Sequence, residues 1–486
     1  MTEDEYPEPS PEERFRTIAA HLAENYWRQM DALLEVVEVA APQLDKLDTD
    51  YIPSVMSPVF DRLSKEEFRK ITSAFDKWGK EFRTDASTDP APSLMRIMWD
   101  SVKSEPWGAA WMQHLHETMG RPPRLPIFLQ STTVSAVSNF EVLLSGLVSC
   151  FYEAAPQALD ASSKDRGKEF SLRELKEMKS LEDAIQLAID RRVEEFMFGS
   201  FSDWRKFFQD KMNLKFENYA IHWPTLQEIF QRRHVIVHNG GLASRRYLRS
   251  VDPTACEGVQ EGDALEVDDE YLRRAASELL CFGFLLTSAM SLKFAKDRAE
   301  ETIADIHNFT YKNLVKGRNE LVIKCSSYGL DLAQDMDDEL IFRVNRWIAR
   351  KRIGEKRVIE EVEAWDVRPL NSRYALAKHC LLEEKDAALT ELQNLIETGE
   401  VDFESVIEWP LLDPLRGTRK FQEIVRTMEV PEDWRFTDQI LFENPKTATL
   451  HTRQCSLVRS DFKRRSVGQI DISCALLCKR CRPTLH

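Results

Sequence analysis

Ten residues, Arg232-Arg233-His234-Val235-Ile236-Val237-His238-Asn239-Gly240-Gly241, gather two guanidinium groups, two imidazoles and an amide around three β-branched residues and stop at a double glycine. Histidine exchanges protons near neutral pH, and arginine neutralises phosphate oxygens through a planar fork. RNA can be cut by its own 2′-hydroxyl attacking the adjacent phosphate. That reaction needs a base near the hydroxyl and a cation on the developing phosphorane charge. His238 is the candidate base and Arg233 the candidate electrostatic stabiliser. His234 lies four before His238, so on a helix the two imidazoles share a face. Arg233 and His238 are five apart and diverge by about 140° around an ideal helix. Bringing them together takes the arginine's length, a distorted helix end or a second subunit. The structural alternative is a basic helix end that caps carbonyls and complements the helix dipole. A zinc pair at His234 and His238 would lack the glutamate that follows the first histidine in HExxH hydrolases.

The second chemical cluster is at the end of the chain, where Cys455, Cys474, Cys478 and Cys481 crowd together. His451-x3-Cys455 and Cys478-x2-Cys481 make two short-spaced pairs, the usual arrangement of a closed, structural zinc site. Cys474 is the rival ligand, and reduced, unligated thiols are the bland alternative. Positions 446–486 hold nine Lys/Arg against two Asp/Glu in a chain of net charge −15. A segment this small and polar lacks a core of its own, so metal binding would supply folding free energy.

The elements that must position these residues are helical. Glycine (17) and proline (21) are sparse among 486 residues, 43% of the chain is apolar and 30% charged. That composition fits ordinary globular cores and about three domains. The start, Met1-Thr2-Glu3-Asp4-Glu5, has no basic, apolar secretory signal. The apolar run Leu279–Leu292 is too short to cross a membrane and reads as a core helix. Cysteines without a signal point to the reducing cytoplasm.

Helical periodicity predicts helices at Glu12–Val39, Lys65–Thr84 (capped by Ser64, with Glu67 closing a capping box) and Ser93–Met119. His114 and His116 face different ways on the third. Pro122, Pro123 and Pro126 mark a boundary. A strong helix follows from Ser131, with Val134, Val137, Phe140, Leu143, Leu144, Leu147 and Phe151 in one stripe. Helices are also expected at Leu181–Phe196, at Phe201–Met212, from Pro224 to Asn239-Gly240-Gly241, and at Tyr271–Phe294 after an Asp268 cap. Between 300 and 430, Tyr374–Leu382 and Asp386–Ile396 form a pair of short helices closed by Gly399, the packing unit of helical repeats, and Trp409-Pro410-Leu411-Leu412-Asp413-Pro414-Leu415 with Phe421 loosely resembles the close of a tetratricopeptide-like array.

The Arg233-x4-His238 motif, its flanks Glu228-Ile229-Phe230, Tyr247-Leu248 and the early Ser138-Asn139-Phe140-Glu141 resemble the HEPN superfamily of all-helical ribonucleases and nucleotide-binding modules. Arg233 fits better than Arg232, since its spacing to the histidine is the commoner one. The resemblance covers about 127–298. It implies a dimer with two such helices side by side and a composite, metal-independent site. Arg233 would stabilise the phosphate, His238 activate the 2′-hydroxyl and His234 shape the site, with Asn239 and Glu141 in support. Some HEPN-like domains are scaffolds without nuclease activity.

The tail resembles the small zinc module related to the Ada metal-binding domain through Lys446, His451, Cys455, Ala475, Cys478, Cys481 and Pro483, over about 445–484. It departs from that pattern at Leu476-Leu477, where a glycine is usual. The resemblance implies a structural zinc, an Ala-containing helix before the last cysteine pair, and nucleic-acid contact through Arg453, Arg459, Lys463, Arg464, Arg465, Lys479, Arg480 and Arg482. A solvated basic face is the alternative.

The expected protein is mainly α. It has a helical region at 1–124, a HEPN-like domain at 127–298, a helical region at 300–430 and a zinc module at 445–486. It would be a cytoplasmic endoribonuclease of antiphage defence, toxin or stress response. Its partners would be RNA, DNA through the basic tail and a second copy, with no membrane. A non-catalytic dimerisation or nucleic-acid- or nucleotide-binding scaffold is the alternative.

Overall fold

The computed structural model describes residues 10–61, 64–66, 68–69, 72–73, 96, 98–100, 102–104, 106–119, 121–159, 170–216, 220–368, 370–428, 440–452, 455, 457–458, 462–466 and 476–478. Helices dominate, and the mainly α class holds. In chain order they begin with α1 (Pro11–Phe60), α2 (Gly108–Met119), α3 (Arg124–Ala154), α4 (Leu172–Glu177), α5 (Leu181–Met197), α6 (Phe201–Asp210), α7 (Trp223–Asn239), α8 (Arg245–Ser250) and α9 (Asp269–Phe294). The chain divides into two compact units. One comprises 32–135 and 264–272; the other comprises 1–31, 136–263 and 273–486.

In the smaller unit, the helix expected over Ser93–Met119 is broken. The chain turns at Lys103–Ser104 and again at Pro106–Trp107 before α2 begins. Pro106 is the cause, since proline in a helix interior removes a hydrogen bond and clashes with the preceding turn. The helix expected from Ser131 starts earlier, at Arg124. Pro126 sits in its first turn, where no N–H is needed. Asp48 satisfies that turn from a distant part of the sequence, accepting the backbone N–H of Arg124 (2.7 Å) and Leu125 (2.9 Å). Asp268 accepts the N–H of Tyr271 at 2.7 Å, as its cap role predicts. Most of the Lys65–Thr84 expectation, including Glu67, lies outside the described residues.

The larger unit is built around rings. Phe140 on α3, fully buried, stacks on Phe282 of α9 at 5.5 Å and meets Phe230 of α7 at 5.7 Å. Phe201 at the start of α6 stacks on Phe230 at 4.7 Å. Gly283 lets helices close in: a Cβ there would lie 2.7 Å from the Tyr26 ring and 2.9 Å from Leu143. α3 and α9 are both long and apolar enough to cross a membrane by length and composition, but 89% of the apolar window of α9 is buried inside the protein. That is the environment expected of the Leu279–Leu292 run as a core helix.

From 299 onward the helices are α10 (Ala299–Val315), α11 (Asn319–Leu332), α12 (Met336–Arg352), α13 (Arg357–Ala364), α14 (Ser372–Leu381), α15 (Lys385–Glu397), α16 (Phe403–Glu408), α17 (Asp413–Arg416) and α18 (Arg419–Thr427). Their side chains share one core that includes Trp347, Leu376, Ala388 and Leu412. The expected pair α14–α15 is present, and Gly399 after it takes φ +74°. Strands β1 (Ile440–Glu443), β2 (Thr449–His451), β3 (Lys463–Ser466) and β4 (Leu476–Leu477) form a sheet of order β3-β1-β2-β4. β1 pairs antiparallel with β2 and β3, and β2 runs parallel to β4. An Ala-containing helix before Cys478 is not what stands there: Ala475 lies outside the described residues, and Leu476–Leu477 form β4. The parallel ladder to β2 takes those residues extended.

Truncating Phe140 to alanine removes a ring wedged among Tyr26, Phe230 and Phe282. Chemical denaturation should show a loss of about 3–5 kcal/mol.

Candidate functional site

Helix α7 carries Pro224 in its first turn, where a missing N–H is harmless, and ends where Gly240 takes φ +60°. Its buried face carries Leu226, Ile229 and Phe230. Arg233 lies seven residues after Leu226 and therefore continues that inward stripe. It meets Glu141 of α3, with Nη2 donating to Oε2 at 3.1 Å, both side chains partly buried. Burial pushes the Glu141 carboxyl up from its usual range, and Arg233 partly offsets this. As pH falls, Glu141 is therefore neutralised early and its hold on Arg233 weakens. Arg233 Nε, also buried, makes no hydrogen bond to a described residue.

His234 and His238 sit together on the helix face, their ring centroids 4.6 Å apart at 49°. His238 is exposed and His234 half-buried. Burial depresses the His234 pKa from 6.5, and the charges of His238, Arg246 and Arg233 depress it further. The two imidazoles are thus brought together, whereas Arg233 is turned to α3. Asn239 closes the following turn, its Nδ2 donating to the Leu242 carbonyl at 2.5 Å. Gly241 donates back to Val235 at 3.2 Å.

Sequence reasoning passed over the clamp beneath this surface. Glu228 is 3% exposed. Its Oε1 accepts from Arg232 Nε at 2.6 Å and from the Tyr247 hydroxyl at 2.8 Å. Arg232 is therefore a structural partner of a buried carboxylate. The i, i+4 spacing of Glu228 and Arg232 was a legible signal; the reach of Tyr247 from α8 was not.

In the tail, β2 ends on His451, and the β2–β4 pairing brings Cys478 alongside, its N–H donating to Leu450 at 2.9 Å. His451, Cys455 and Cys478 are all buried, with their ligand atoms within 4.8 Å of one another. His451 Nδ1 lies 3.3 Å from Cys455 Sγ, which lies 3.9 Å from Cys478 Sγ. A tetrahedral zinc with ordinary bond lengths gives edges of about 3.5 Å for N···S and about 3.8 Å for S···S. The trio fits a metal ion. Burial lowers the His451 pKa, which favours the neutral, ligating imidazole. Cys474 and Cys481 lie outside the described residues, as do Arg453, Arg459, Lys479, Arg480 and Arg482. Lys463, Arg464 and Arg465 lie on the edge strand β3, and Arg465 is bound to Glu443 of β1 at 2.5 Å.

His234 should titrate below 6.5 in a proton-detected NMR titration, and His238→Ala should move it back up. An unshifted His234 that ignores the substitution would contradict this electrostatic picture. Because the folded pKa is depressed, the unfolded chain takes up this proton first as pH falls through 6.5. His234 then lowers stability below that pH.

No family model, no curated protein and no solved structure matches the chain, so what this site does is argued from its own residues.

Proposed function

We propose that this chain is a metal-independent endoribonuclease of HEPN type, working as a homodimer. The observation that carries the reading is the pair of imidazoles, their rings 4.6 Å apart on one face of α7, on the same helix as Arg233. His238 takes the proton of the 2′-hydroxyl, and Arg233 neutralises the charge on the phosphorane. Within one chain Arg233 turns toward Glu141 and His238 outward, so the complete site is composite, with a second copy supplying the missing group. Val142 beside Glu141, Val237 beside His238, and Leu242 after the double glycine are exposed around these residues and favour a self-pairing face. The cellular setting proposed is the reducing cytoplasm, in antiphage defence, toxin action or stress response.

The Arg233–Glu141 pair favours a second reading, in which the arginine only fixes α7 to α3 and the domain is a dimerising or nucleic-acid-binding scaffold. RNA cleavage in EDTA separates the two. Wild type should cut, while Arg233→Ala and His238→Ala should each lose at least about a hundredfold. Val237→Glu should yield monomers by sedimentation and lose activity with them. A folded, dimeric wild type that leaves RNA intact defeats the nuclease reading.

For the tail we propose zinc, held by His451, Cys455, Cys478 and Cys481 as a structural ion, with the basic residues around it contacting RNA or DNA. The buried His-Cys-Cys trio supports the metal. Metal analysis of purified protein should find one zinc per chain, lost in Cys478→Ser. Zinc-free protein whose tail resists proteolysis equally with and without a chelator would count against it.

A further inference from the structure

Helix α8 lies on α7, and two hydrogen bonds between them fix the register. Gln227 Nε2 donates to the Ser250 carbonyl at 2.5 Å, at the end of α8. Tyr247, one turn earlier, reaches Glu228, which Arg232 also holds. The next turn of α7 carries His234, and the next residue back along α8 is Arg246. The turn between the helices is equally constrained. Asn239 clamps Leu242, Ala243 donates to the Asp263 carbonyl at 2.8 Å, and Gly262 donates to Ala243 at 2.8 Å. The two hydrogen bonds and this turn hold α8, which carries Arg246, on α7, which carries the imidazole pair, and the charge of Arg246 acts on His234.

Its neighbours make the contrast. Arg245 is exposed but bound to Glu261 at 2.7 Å. Arg246 and Arg249 are exposed, three apart on one face of α8, and neither pairs with a carboxylate among the described residues. In a chain of net charge −15, two exposed guanidiniums without a described carboxylate partner, on the helix held against the one that bears the imidazoles, present a local field that attracts anions.

We propose that Arg246 and Arg249 form a phosphate-binding ridge continuing the His234–His238 face, a subsite for the backbone of single-stranded nucleic acid next to the scissile position. Their long, planar forks suit non-bridging phosphate oxygens, and the ridge would set the direction in which a strand crosses α7. The assignment of a scissile position rests on the nuclease reading; the phosphate subsite itself does not.

The test uses the full chain and a fluorescent single-stranded DNA, which carries phosphodiesters but no 2′-hydroxyl and so binds without being cut. Arg246→Ala should weaken binding about tenfold and reduce the log–log salt slope by about 0.7, the value of one lost contact on a single strand. Arg246→Lys should restore much of the affinity, and Arg245→Ala, whose arginine is already paired, should change little. A mononucleotide should compete poorly, since it cannot span the ridge. Wild type that fails to bind, an Arg246→Ala protein that binds like wild type, or an Arg245→Ala loss as large as that of Arg246→Ala each overturns the subsite. RNA cleavage run beside it keeps the two ideas apart. Cleavage by wild type with Arg246-independent binding removes the subsite and leaves the nuclease. Arg246-dependent binding without cleavage does the reverse.

Discussion

A carboxylate removed from water has to be paired, and Glu228 is paired twice: with Arg232 one turn along its own helix and with the Tyr247 hydroxyl from the next. Removing either partner would leave an uncompensated polar group in the interior. The arrangement therefore ties α8 to α7 in one register. Everything exposed above it inherits that register: the paired imidazoles, the Asn239-clamped turn, and the face of α8 that bears Arg246. Beneath it, the rings of Phe140, Phe201, Phe230 and Phe282 hold α3, α6, α7 and α9 against one another. Through Phe140 and Glu141, neighbours on α3, the same helix supplies a core ring and the partner of Arg233.

Two kinds of polar organisation coexist here. The Glu228 cluster is closed, each polar group satisfied inside the protein. The surface beside it is open: His238 and Arg246 are exposed, and Arg246 has no carboxylate partner among the described residues. A closed network fixes geometry, and an open one leaves hydrogen-bonding capacity for a ligand. Their adjacency is the physical basis for placing function at this end of α7. The tail repeats the principle with different donors. A small sheet positions His451 and Cys478 by main-chain pairing and leaves three ligand atoms facing one another.

Much of the helical frame was legible in the sequence. The stripe through Phe140, Leu144 and Leu147 matches a buried helix face, Gly240 ends α7, and Asp268 caps α9. Pairing of His234 with His238 followed from their four-residue spacing. Errors arose where a local rule met a distant partner. Pro126 did not exclude a helix, because Asp48 takes over the amides of its first turn. Pro106 did break one that apolar periodicity alone would have continued. The strands of the tail were missed because they are two to four residues long, too short to show the alternation that marks a half-buried strand.

By itself, the sequence determined that the protein is mainly helical, that α7 carries a cation and two imidazoles at its end, and that the tail clusters metal-ligating residues. These are properties of composition and short-range spacing, which the 3.6-residue helix converts directly into faces. Only the tertiary structure decided which of those groups are free. Arg232 went to a buried carboxylate, Arg233 to Glu141 across ninety-two residues, and Arg245 to Glu261, while Arg246 has no carboxylate partner among the described residues. Charge pairing depends on three-dimensional proximity, and no spacing rule along the chain reports which carboxylate a long arginine side chain will meet.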